Sequence, residues 1–250
     1  MKKGFVHTEN FRRLQEAQTS VRKRGAQEAG LVIIKGPFGV GKSEIVERWA
    51  VDGGAIFVRA KETWTKRSLI DELASLLGED TKGRNSEVQA RVIGRLAVNM
   101  TDIVIDEADF LLRGRGSTSS ASLLECVRDI TDVTGVACFL VGMEQFGDRL
   151  ARHGHIASRV NRVVDFQPLS FADVKAACGK LSEVELGAGV VELIHKQASG
   201  KMRLVLNAIS NIEQFADANG LTEVNADHLK GRPLCIEFKP GSLGRRGGAQ

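Results

Sequence analysis

Three stretches of this chain carry side chains whose types and spacing could do chemistry. Residues 36–43 read GPFGVGKS, which is G-x-x-x-x-G-K-[ST]. Gly36, Gly39 and Gly41 let the backbone wrap an anion so that its N–H groups point inward, while Pro37, Phe38 and Val40 complete the loop. Lys42 sets a point charge near β- and γ-phosphates, and Ser43 offers a hydroxyl to Mg²⁺. Glu44 follows at the start of a helical pattern, so a helix opening at Ser43 turns its positive end toward the same anion. The second stretch is DIVIDEAD, residues 102–109, an apolar strand that ends in Asp106-Glu107. Downstream of a phosphate loop, Asp106 is the residue to hold Mg²⁺ with Ser43, and Glu107 is the general base that polarises an attacking water. The third stretch surrounds Trp64: Lys61, Thr63, Lys66 and Arg67 interleave cations and a hydroxyl with an aromatic. That mixture suits contact with a phosphate backbone, and it equally suits an aromatic anchor in a charged loop. Arg113 and Arg115, alternating with glycines ahead of four hydroxyl residues, allow the same two readings, a strand-following loop or a connector.

The elements that must position these groups follow from hydrophobic period. Phe11, Leu14, Ala17 or Gln18, and Val21 recur at helical spacing over residues 8–24, with Thr8 as N-cap and Arg22-Lys23-Arg24 at the negative end. Val6, His7 and Phe11 are candidates to wall an adenine. Short apolar runs at 31–34, 55–59, 102–106, 136–141 and 160–166 read as five strands, alternating with helices at 44–51, from 66 or 68 to Gly78, 87–99, 121–132 and within 144–159. Past Pro168 no strand pattern appears: 171–181, 184–198, 201–218 and 225–230 read as helices. The expectation is an α/β fold, a five-stranded parallel sheet flanked by helices over 1–167, with a small helical lid at 168–231 and a flexible basic tail at 232–250.

Composition narrows the class. The chain has 250 residues, 42% apolar and 26% charged, which is ordinary for a globular protein. No apolar run approaches the ~20 residues of a membrane span, and Met1–Phe11 lacks an apolar signal core. Cys126, Cys138, Cys178 and Cys235 are scattered, which suits buried thiols in a reducing, cytoplasmic setting better than disulfides or zinc. No metal is expected beyond Mg²⁺ brought with nucleotide. The net charge of +4 lies wholly after His228, where five cations face one acid. Such a tail fits an attraction for nucleic acid or an acidic partner, and it fits a solvated terminus.

The phosphate loop, the IVIDEAD strand, the Ser158-Arg159-Val160 turn and the GKMRLVLNAI helix at 200–209 come in an order that resembles the AAA+ ATPases across nearly the whole chain. Within them, the compact size and the LVGMEQF and RVNRVVDFQPLS strings look most like the transposition ATPases of the phage Mu B type, related to transposon target-selection and general secretory A-type ATPases. The resemblance implies further roles. Arg203, in Gly-Lys-Met-Arg, matches the lid arginine that senses the γ-phosphate. Arg159 matches the arginine finger that a neighbouring subunit supplies, with Arg162 in reserve. It also implies that ATP-bound subunits assemble as a filament or ring around duplex DNA, with the loops after the second and third strands facing inward. Lys61, Thr63, Lys66, Arg67, Arg113 and Arg115 would then line that face.

One position departs from the pattern. Where the family places a small polar residue after the fourth strand, this chain has Gly142-Met143-Glu144-Gln145. Met143 cannot donate a strong hydrogen bond, leaving Glu144 or Gln145 to substitute, which implies a slow switch rather than a motor. The sequence-level expectation is an ATP- and Mg²⁺-dependent, non-specific DNA-binding ATPase, DNA-stimulated, that selects target DNA and activates a partner transposase in a bacterial host cell. Two other readings share the fold: a helicase loader or replication-initiation ATPase, and a signalling or secretion-type switch.

Overall fold

The computed structural model describes residues 1–112 and 121–235. Arg113 and Arg115, and the tail past Cys235, lie outside the described residues. The chain divides into two compact units. One is Asn10–Gln167; the other joins Met1–Glu9 to the described residues from Pro168 onward. The expected first domain began at residue 1. Instead the first nine residues belong with the helical unit, where Val6 is buried in its core.

The larger unit contains α1 (Glu9–Arg22, from Asn10 onward), β1 (Leu31–Lys35), α2 (Lys42–Gly53), β2 (Ile56–Arg59), α3 (Lys66–Leu76), α4 (Asn85–Asn99), β3 (Ile103–Asp106), a 3-10 turn at Ala108–Leu112, α5 (Ser122–Thr134), β4 (Cys138–Val141), α6 (Phe146–Ala151), α7 (Gly154–Ala157) and β5 (Val160–Asp165). The first helix buries Phe11, Leu14, Ala17 and Val21, the face read from its period. All five strands are parallel, in the order β2-β3-β4-β1-β5. Sheet position explains their composition. The interior strands β3 and β4 are buried throughout and are apolar except for Asp106 at the end of β3, whereas the outer strand β5 is mostly open along its length. With every strand pointing the same way, the phosphate loop, Asp106 and Gly142 all leave the sheet at one end.

Trp64 is buried in the core with Leu69, Ile70 and Leu73, so the aromatic anchor is the reading that holds for this residue. Directly after it, Thr65 caps α3 through a reciprocal pair with Ser68. The loop between α3 and α4 is tied from both sides. Arg67 donates to Asp71 Oδ2 at 2.8 Å, to Gly83 O at 2.6 Å and to Thr81 O, and Arg91 donates to Asp80 O at 3.0 Å and to Lys82 O.

The second unit contains α8 (Phe171–Leu181), β6 (Glu185–Leu186), α9 (Val190–Ala198), α10 (Met202–Asn219) and β7 (Glu223–Val224), then a 3-10 turn at Ala226–Leu229. Two expectations are corrected here. A strand pair does form past Pro168, with β6 and β7 parallel. At two residues each they are too short to show alternation. The helix expected from Val184 starts only at Val190, because Gly187 and Gly189 interrupt the period and Gly189 caps it with a left-handed φ of 78°. No described helix is long and apolar enough to cross a membrane. Cys126, Cys138 and Cys178 are buried, and burial pushes the Cys126 and Cys178 thiols up to about 11.

One close approach fixes where the phosphate loop leaves the sheet. A Cβ on Gly36 would stand 2.4 Å from the carbonyl oxygen of Phe166, just past β5. Gly36→Ala should therefore destabilise this unit by about 2 kcal/mol or more. Denaturant unfolding monitored at Trp49 and Trp64 measures it, and the same variant should lose ATP affinity.

Candidate nucleotide site

The loop between β1 and α2 is shaped by its glycines. Gly41 adopts a left-handed conformation, φ 90°, and serves as N-cap of α2 without any side-chain cap. The first-turn amides of α2 are thus left to an anion rather than to a hydroxyl or carboxylate of the chain. Val40 is buried beneath the loop, while Phe38 is 72% exposed and the Glu44 side chain is exposed on α2.

Lys42 folds back on this loop. Its ammonium donates to Gly36 O at 2.6 Å and Pro37 O at 2.8 Å. Burial lowers its pKa, opposed by the charges of Asp106, Glu107, Asp109 and Glu144. Since β1 and β3 flank β4 in parallel, the phosphate loop and the acidic strand end leave the sheet side by side.

Asp106, last in β3, is 2% exposed. Its Oδ1 accepts the Glu107 amide at 2.9 Å and its Oδ2 accepts Arg59 Nε at 3.1 Å. Glu107 is exposed and has φ 55°, a left-handed conformation that costs a non-glycine residue about 1 kcal/mol or more. Asp109 is buried one 3-10 turn later. It accepts the Met143 amide at 2.8 Å and Arg149 Nη1 at 2.9 Å, and so anchors the segment after β4 to the acidic strand end.

The remaining sequence candidates separate. Arg159 donates its Nε to Asp132 of α5, at 3.2 Å from each carboxylate oxygen. Its carbonyl accepts the Leu31 amide, at the end of β1 opposite the phosphate loop and about 15 Å from it along the strand. Arg162 lies on β5 and donates to Ser20 Oγ at 3.1 Å. Arg203 is exposed at the second position of α10, in the helical unit. Lys61, Thr63 and Lys66 are exposed after β2, Lys61 standing 4.0 Å from Glu72. Arg67 is the exception in this group, because its guanidinium is taken up by the α3–α4 loop.

Sequence reasoning missed three contributors: Arg59, Asp109 and Asp132. Asp109 carried a signal, since it is the last letter of the DIVIDEAD string. Arg59 and Asp132 carried none, because their roles depend on strand order and on which helix faces the β5 turn.

No curated protein matches this chain in sequence. Solved structures do match it in fold. The *Aeropyrum pernix* ORC1 protein in complex with DNA superposes with TM-score 0.61 at 21% identity, over 91% of this chain and 65% of that one. The ORC2 protein of the same organism gives 0.68 at 15% identity, over 92% and 69%. The *Thermotoga maritima* RuvB Holliday junction branch migration motor gives 0.57 at 17%, over 90% and 68%. The chain thus spans about two thirds of the length of each, slightly less for ORC1. The order of the sheet, the loop geometry and the paired acids fit a P-loop nucleotide-binding fold. The sequence pattern described as an AAA domain matches residues 23–150, just over half of the 250, and the chain belongs to the AAA domain family.

Proposed function

We propose that this protein is an ATP-driven switch that grips duplex DNA in its nucleotide-bound, assembled form and releases it after hydrolysis. The observation that carries the reading is the convergence of Lys42 with Asp106 and Glu107 at one end of a parallel sheet. Within it the residues have separable tasks. The loop amides and Lys42 bind the phosphates, for which Lys42 must leave the carbonyls of Gly36 and Pro37. Glu107 takes the proton of the attacking water at its carboxylate.

The donor set fits Mg²⁺. Ser43 and Asp106 are hard oxygen donors, and no cluster of three or more metal-ligating side chains exists among the described residues. An ion held by one or two protein ligands and by phosphates is the usual state of Mg²⁺ rather than of a caged metal. When bound, Mg²⁺ neutralises charge on the transferring phosphoryl group. Arg159 would act on the site of a neighbouring subunit, since its own is out of reach, and Arg203 would sense the γ-phosphate. Met143 contributes its amide to Asp109 and no side-chain donor, which supports slow turnover.

For DNA, the exposed Lys61, Thr63 and Lys66 remain the described candidates, with Arg113 and Arg115 as further ones. Contact through cations alone would be non-specific and salt-sensitive. The finer reading, drawn from the resemblance to Mu B-type ATPases, is selection of target DNA for a transposase by a filament or ring of this chain. The likeness to ORC proteins favours a second reading, a replication-initiation or helicase-loading ATPase. Partner capture separates them: a transposase supports the first, a replicative helicase the second.

Fluorescence anisotropy with a labelled duplex, with and without ATP and Mg²⁺, tests the common core. Binding should need nucleotide, and electron micrographs should show assemblies on DNA. Equal binding by the monomer without nucleotide would sink the proposal. Lys42→Ala should lower the nucleotide-dependent DNA affinity by at least about tenfold. Glu107→Gln should still bind ATP and hold DNA, with dissociation slowed by about tenfold or more in a competitor chase; rapid release would count against the cycle. The double change Lys61→Glu with Lys66→Glu should weaken binding and reduce the slope of log K against log salt by about 2.

A further inference from the structure

We propose that Arg59 is a built-in competitor for magnesium. Its guanidinium sits on one of the two Asp106 oxygens, the carboxylate that would hold the metal, so it sets the Mg²⁺ concentration at which the nucleotide site closes. This rests on the reading of Lys42, Ser43 and Asp106 as a Mg²⁺–nucleotide site.

The arrangement is built by sheet register. Arg59 is the last residue of β2 and stands directly across from Asp106, the last residue of β3. Arg59 Nε reaches Asp106 Oδ2 at 3.1 Å, while the other oxygen accepts the Glu107 amide. Both carboxylate oxygens therefore already hold a donor of the chain, and only one of those donors can leave. The Glu107 amide is fixed by the backbone. Arg59 is a mobile-ended side chain that is 55% exposed against 3% for Asp106.

That asymmetry gives the exchange its direction. A guanidinium released into water regains hydration, whereas a carboxylate buried at the strand end stays where it is and needs a new cation. Two described cations at this end of the sheet are engaged elsewhere: Lys42 on the loop carbonyls and Arg149 on Asp109. In its present position its Cζ also lies 6.0 Å from the Phe57 ring centre on its own strand, a contact that does not require Asp106. Arg59 and a divalent ion on the same carboxylate repel each other, so each weakens the other's hold. In the absence of metal the same guanidinium shields the incoming phosphates from Asp106.

Two opposite effects follow from removing it. Titration of a fluorescent, slowly hydrolysed ATP analogue by anisotropy, at a series of MgCl₂ concentrations and in EDTA, reads both. For Arg59→Ala the Mg²⁺ giving half-maximal affinity should fall by about tenfold, the scale of one charge-assisted hydrogen bond that no longer has to be broken. In EDTA, affinity for the analogue should fall, because Asp106 now faces the phosphates unshielded. Arg59→Lys should lie between wild type and Arg59→Ala in both readings. Arg59→Met, which keeps a long side chain on this outer strand, gives the same measurement if the alanine variant unfolds. A Mg²⁺ midpoint that stays or rises in a variant that still binds nucleotide overturns the proposal. Failure of wild-type protein to bind the analogue at any Mg²⁺ concentration would instead remove the nucleotide reading, and this proposal with it.

Discussion

A carboxylate taken out of water at the end of a buried strand must be met by a positive charge or by hydrogen-bond donors. Asp106 is that group, and much of this site is arranged around satisfying it. Parallel pairing of β2 with β3 brings Arg59 level with it. The backbone turns sharply enough after it for the Glu107 amide to reach back to its own neighbour's side chain. Glu107 itself is left-handed and its side chain is exposed. The same residue that requires neutralising therefore orients the residue proposed to act as base.

The candidate site was legible in the sequence because its parts are local. A phosphate loop consists of consecutive residues whose conformations are set by glycine, and Asp106-Glu107 follows an apolar run that can only be an interior strand. The helix faces were equally legible, since Phe11, Leu14, Ala17 and Val21 repeat at a period that no strand can use. What stayed hidden depends on pairing between distant elements. The placement of β4 between β1 and β3 leaves no mark in the strands themselves, since all three are apolar up to their last residues, Lys35 in β1 and Asp106 in β3, and that pattern fits any order. Yet that order brings Asp109 to the Met143 amide and Arg59 to Asp106. The β6–β7 pair was hidden for a different reason. Its two-residue strands are held by contacts from Val224 inward, not by a pattern along the chain.

The cationic loop after β2 shows how three-dimensional context divides residues that composition treats alike. Lys61, Lys66 and Arg67 are equivalent as charges in a sequence. Arg67, however, has a planar fork of donors, and three separate carbonyl or carboxylate partners take it up around the α3–α4 loop. A lysine in that place could not bridge the same set. Trp64 divides in the same way, since its ring is buried with α3 while its neighbours on both sides face water. The loop is thus pinned at one aromatic point, and the lysines are carried outward from it.

The proposed assembly depends on Arg159 having an alternative partner. Its guanidinium is paired with Asp132 in the single chain, at the end of the sheet opposite the phosphate loop. An arginine at that distance has no task in its own nucleotide site. Its side chain is about one third exposed, so the pair with Asp132 is partly screened and weak enough to exchange. A triphosphate presented by a neighbouring copy carries more negative charge than one carboxylate and accepts a guanidinium bidentately. Transfer of Arg159 from Asp132 to such a phosphate would join two subunits only while the triphosphate is intact. Loss of the γ-phosphate would return the arginine to its internal partner, which gives the proposed switch a reason to come apart.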